Sequence, residues 1–141
     1  MTSTRFLSRK LCLGCLVAVL GVAASSQQAS SALAGTWSGT FQSKHPSRSP
    51  FTMTVVIAPG SDGKLIGNAS VIADCFTDPV LQVSVNGPKV VLAGSDTRRT
   101  SVTFIGSLDT TGTLLTMDYI VGGGGGGRCE SDRGEGSMAR R

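Results

Sequence analysis

From residue 51 onward, apolar and polar positions alternate with a period of two. Phe51, Met53, Val55 and Ile57 fall on one side of a strand, and Thr52, Thr54, Val56 and Ala58 on the other. The same alternation places Leu65, Gly67, Ala69, Val71 and Ala73 on one face. Leu81, Val83 and Val85 follow, then Val90 and Leu92, then Val102, Phe104 and Leu108, and last Leu115, Met117, Tyr119 and Val121. With Thr36 to Phe41 in front and Gly134 to Arg140 behind, the pattern predicts eight strands.

Between these runs, tight and long connections alternate. The tight ones are Pro59 to Gly63, Asn86-Gly87-Pro88 and Asp109 to Gly112. The long ones are Gln42 to Pro50, Asp74 to Pro79, Ser95 to Arg99 and the glycine run Gly122 to Gly127. Asp62-Gly63 and Asn86-Gly87 are hairpin signals, because both pairs tolerate positive φ. In a meander, alternate connections fall at the same end, so the long loops should share one rim. Gly39, Gly67, Gly94 and Gly106 interrupt strand patterns where a closing sheet must bend. The expected fold is all-β, an eight-stranded antiparallel up-and-down barrel, with a two-sheet sandwich as the alternative.

The first 26 residues read differently. Arg5, Arg9 and Lys10 precede an apolar run from Leu11 to Ala24, and small residues follow. This is the pattern of a secretory signal, with cleavage after Ala24 or Ser26, although Ala32-Leu33-Ala34 also fits a cleavage site. The expected organisation is a signal over 1–26, a short linker or trunk over 27–34, and a barrel domain over 35–141. The run is short for a membrane span. Leu13-Gly14-Cys15 faintly resembles a lipoprotein site, but most of the apolar run lies after Cys15, so anchoring there is not expected.

Export changes both the charge and the cysteine reading. The chain carries thirteen Lys and Arg against nine Asp and Glu. Three of the basic residues lie in the signal, so the rest is nearly neutral and no nucleic-acid partner is expected. Cys12 and Cys15 leave with the signal. Cys75 and Cys129 remain as one possible pair, which an oxidising compartment would close across the long-loop rim.

Gly35-Thr36-Trp37 at the head of the first strand resembles the G-x-W signature of lipocalins, avidins and related calycin barrels, and residues 51–67 resemble the second hairpin of avidin-like proteins. The resemblance implies that Trp37 plugs one end of the barrel. It implies no biotin site, since Trp37 is the only tryptophan and Ser38-Gly39-Thr40-Phe41 lacks the polar set of such sites. In outline the chain is also similar to small bacterial periplasmic metalloprotease inhibitors, which would make Ser25 to Leu33 an inhibitory trunk.

Catalytic and metal patterns are weak. His45, the only histidine, sits in the polar loop Ser43-Lys44-His45-Pro46-Ser47-Arg48, a poor support for a Ser–His–Asp relay. Asp74, Asp78, Asp96, Glu130 and Asp132 belong near the long-loop rim without calcium-loop spacing, and read as turn residues. No catalytic residue, cofactor or metal is expected. The leading expectation is non-catalytic binding of a small apolar ligand at the long-loop rim. His45, Phe76, Arg98 and Arg99 would be the rim contacts, and Phe51, Met53, Phe104 and Met117 the lining. The alternative is a protein-binding module, either a protease inhibitor or a self-associating protein. Self-association would use the outward Val56, Ile66, Ile72, Val91, Ile105 and Ile120.

Overall fold

A computed structural model describes residues 32–123, 129 and 131–141. The expected signal segment, Cys12, Cys15, the expected trunk as far as Ser31, Glu130 and most of the glycine run lie outside the described residues. Eight strands follow in chain order: β1 (Gly35–Ser43), β2 (Phe51–Pro59), β3 (Leu65–Ser70), β4 (Val80–Asn86), β5 (Lys89–Ser95), β6 (Ser101–Leu108), β7 (Leu114–Gly122) and β8 (Ser131–Arg140). Each pairs antiparallel with its sequence neighbour, and β8 pairs back onto β1, so the sheet is a closed barrel. Closure leaves no outer edge strand.

The period-two pattern sets the inside. Phe51, Met53, Val55 and Ile57 are all buried, as are Leu115, Met117, Tyr119 and Val121. Gly63, Gly87 and Gly112 take the positive φ that the three tight turns require. Gly39 and Gly94 serve another purpose. A Cβ on either would lie 1.8 Å from a carbonyl oxygen of the neighbouring strand, Ser137 and Val80 respectively. Only glycine allows the wall to coil so tightly there.

Strand stagger decides which side chains meet. From Gly35 the registers lead through Ile57, Gly67, Leu81, Gly94, Val102 and Val121 to Asp132. Ser43 pairs with Gly134, which sets Asp132 level with His45, just past the end of β1 and ten residues along the chain from the starting point. This tilt brings the end of β1 beside the start of β8 at the long-loop rim.

The third strand is shorter than its alternation predicts. β3 ends at Ser70, not Ala73, and the chain then folds into a small lobe held by a bridge between Ile72 and Thr77. Two bonds between Val71 and Asp78 turn it: Val71 N–H donates to Asp78 Oδ1 at 2.7 Å, and Asp78 N–H to Val71 O at 3.1 Å.

Candidate functional site

The lobe over residues 71–79 closes the long-loop end of the barrel. It aims Phe76 inward, with its ring 5.3 Å from Phe51 and 6.3 Å from Phe104, both edge-on. Phe76 is therefore buried rather than a rim contact. A lobe lacks the two-residue period that tells inside from outside on a strand, so its sequence could not reveal this. The adjacent Cys75 is bonded to Cys129, which fastens the lobe to the entry of β8. On its other flank Thr77 N–H donates to Asp96 Oδ2 at 3.3 Å. Asp96 is buried and also accepts from the N–H groups of Arg98 and Thr100, both at 2.9 Å.

Below the lobe, aromatic rings pack against one another inside the barrel. Phe41 stacks on Phe51 at 5.4 Å and meets Phe104 at 5.2 Å, and Tyr119 lies 5.3 Å from Phe51. Such pairs each contribute about 0.5–1.5 kcal/mol beyond the area they bury. Met53 and Met117 complete the packing and are themselves buried. Of the four proposed lining residues, Phe51 and Phe104 each pack on Phe41 and Phe76, and Met53 and Met117 are buried in the same core. Open clefts of about 540–590 Å³ lie on the surface at the rims and along the wall, and these are not lined by Phe41, Phe51, Phe76, Phe104 or Tyr119.

The other proposed rim contacts stay apart. His45 is exposed on the β1–β2 loop, with Ser47 Oγ 2.9 Å from its Nδ1. Arg98 and Arg99 are exposed on the β5–β6 loop, half the strand order away. At the tight-turn end Trp37 is fully buried. Its Nε1 donates to Leu33 O at 2.9 Å, and the Arg140 guanidinium lies 4.7 Å from its ring centre. The outward apolar residues fall into two groups. Val56 and Ile66 lie on β2 and β3, whereas Val91, Ile105 and Ile120 lie on β5, β6 and β7, with Gln82 and Ser84 of β4 between. They do not form the single patch that self-association through all of them would need. Ile72, 87 % exposed, projects from the lobe.

A polar cluster that the sequence did not suggest sits beside the disulfide. Ser43, Gly134 and Tyr119 occupy one row across β1, β8 and β7. Asp132 is two residues before Gly134 and so on the same inner face. Gly134 leaves space for the tyrosine, since a Cβ there would lie 2.5 Å from Tyr119 Cε1. Asp132 accepts from Ser43 Oγ at 2.6 Å and from Tyr119 Oη at 2.9 Å, and pairs with Arg48 Nε at 3.4 Å. Arg48 reaches both cysteine sulfurs with Nη1 and donates through Nη2 to Ser131 O at 3.3 Å. The buried carboxylate is compensated by a cation and two hydroxyls, as burial demands. Burial, and then the bond to Asp132, push the Tyr119 phenol well above its ordinary value.

The cluster is not arranged as a catalytic relay. Ser43 bonds Asp132 directly, with no imidazole between them, and His45 reaches Ser43 only through its backbone N–H. Its one advance signal was parity: Asp132 shares the inward register of Gly134, Gly136 and Met138. Asp78 accepts the Val71 N–H within its lobe, and Asp74 accepts the Ser49 N–H from the β1–β2 loop. No group of three or more His, Cys, Asp or Glu side chains placed to hold a metal occurs among the described residues. No helix among them is long and apolar enough to cross a membrane.

No family model, curated protein or solved structure matches this chain. The eight-stranded antiparallel barrel is consistent with a calycin-like fold, and the Cys75–Cys129 bond with an oxidising, exported location.

Proposed function

We propose that this is an exported, non-catalytic module that binds another protein with its outer surface. One observation supports this over an enclosed small-molecule site: five aromatic rings pack together inside the barrel, and Phe76 is buried among them at the mouth through which a ligand would enter. A small apolar ligand would have to displace Phe76, which the lobe holds from both flanks through the disulfide and the Thr77–Asp96 bond.

Native mass spectrometry of the protein purified from an exporting host tests the reading. The expected spectrum shows the folded chain without a small-molecule adduct, together with complexes whose added mass is that of a protein. A discrete small mass that leaves on denaturation would overturn the proposal.

A further inference from the structure

Val83 and Val85 share the inward register of Leu81, yet Leu81 is fully buried and both valines are only partly so. The cause is a seam between β3 and β4. Those strands pair over three positions, Ile66 with Gln82, Gly67 with Leu81 and Asn68 with Val80. Each of the other seven ladders runs over six or more. Toward the tight-turn end β3 gives way to the turn that joins it to β2, where Gly60 N–H donates to Lys64 O at 2.7 Å. β4 runs on to Asn86, paired beyond Gln82 only with β5.

The backbone groups left open follow from ladder alternation. Ala69 N–H donates to Pro79 O at 3.2 Å, so the odd-numbered positions on this side of β4 turn their backbone groups toward β3. Val85 lies in that series, past the last paired position. Its N–H and C=O therefore point into the seam. The open cleft there, about 590 Å³, is lined by the turn Asp62-Gly63-Lys64, by inward Leu65, Val83 and Val85, and by outward Ile66, Gln82, Ser84 and Ala93.

Resting on the protein-binding reading above, we infer that this seam accepts an extended segment of a partner protein, aligned antiparallel to β4, with apolar residues at alternate positions. Open backbone groups on a strand flank select another strand. An apolar inner lining with Gln82 and Ser84 outside selects alternation. Gln27 to Ser31, just before the described residues, lack alternating large apolar residues. Among the described residues, the closed barrel of a second copy offers no strand edge apart from this same seam.

The probe is a synthetic peptide with the β5 sequence, Lys89 to Ser95, which already pairs antiparallel with β4 on its other side and alternates suitably. It is titrated into the disulfide-intact protein while amide exchange is followed by NMR. The expected result is saturable binding that slows exchange at Val85, about tenfold with free peptide at ten times Kd. A scrambled peptide with its apolar residues adjacent should not protect, and this comparison needs no variant. In Val85→Pro, which has no amide to exchange at that position, peptide binding itself should be lost while the β4–β5 ladder is kept, because the N–H it removes faces the seam. Slow exchange at Val85 without peptide, equal protection by the scrambled peptide, or no binding overturns the seam proposal. If the seam fails while protein-mass complexes persist, including with Val85→Pro, the protein-binding reading stands. A small-molecule adduct in the native spectrum overturns that reading instead.

Discussion

Tyr119 is the only tyrosine in the chain, so the phenolate absorbance in an alkaline titration reports one site. In the fold its ring is buried and its hydroxyl donates to Asp132, and both facts hold the proton on, burial more than the bond. In the unfolded chain the same phenol ionises near its ordinary value of 10. Below that pH both states are protonated and the full stability is present. Above it the unfolded state loses a proton that the folded state keeps, so stability falls with rising pH. The slope is about 1.4 kcal/mol per pH unit, or roughly 3 kcal/mol by about pH 12, against a typical domain stability of about 5–15 kcal/mol. The expected titration shows no phenolate through the ordinary range. Absorbance then rises steeply and cooperatively, together with loss of the β-sheet circular dichroism. A gradual one-proton curve centred near 10, with the sheet signal intact, would refute the burial argument.

Asp109 should behave in the opposite sense. The hydroxyl of Thr111 and the N–H groups of Leu114 and Thr113 lower its carboxyl to about 2, so the contribution of its turn persists above its ordinary value of 3.8 and is lost as pH falls through about 2. A carboxyl-carbon NMR titration with its midpoint at the ordinary value would contradict this. Reducing Cys75–Cys129, which closes a separation of 54 residues, should lower unfolding stability by about 4 kcal/mol in the chain-entropy account. Denaturant unfolding with and without reductant measures it, and a change under about 1 kcal/mol would mean that the unfolded chain gains little freedom. Phe76→Ala should cost about 3–5 kcal/mol in the same assay and open the mouth to a hydrophobic dye. A near-neutral effect without dye binding would show that the ring does not seal the interior.

The strands and their inner faces were legible because alternation is a property of one strand alone. Phe51 to Ile57 and Leu115 to Val121 declare their buried side without reference to any neighbour. Asn86-Gly87 and Asp62-Gly63 mark their hairpins by the φ values that they tolerate. The inward glycines signalled closure, because only they permit the approach to a neighbouring carbonyl seen at Gly39 and Gly94.

What alternation cannot encode is the stagger between strands and the path of a loop. Ser43, Tyr119 and Asp132 meet only because the barrel closes with the end of β1 beside the start of β8. Phe76 enters the core through a lobe whose direction is set by Val71, Asp78 and the disulfide. Val83 and Val85 have the parity of Leu81 and differ from it only in what β3 does opposite them. The sequence by itself determined which side of each strand is apolar, since that depends on the local period of the backbone. The tertiary structure decided which of those sides are covered, filled or left open, since that depends on where distant strands begin, end and tilt.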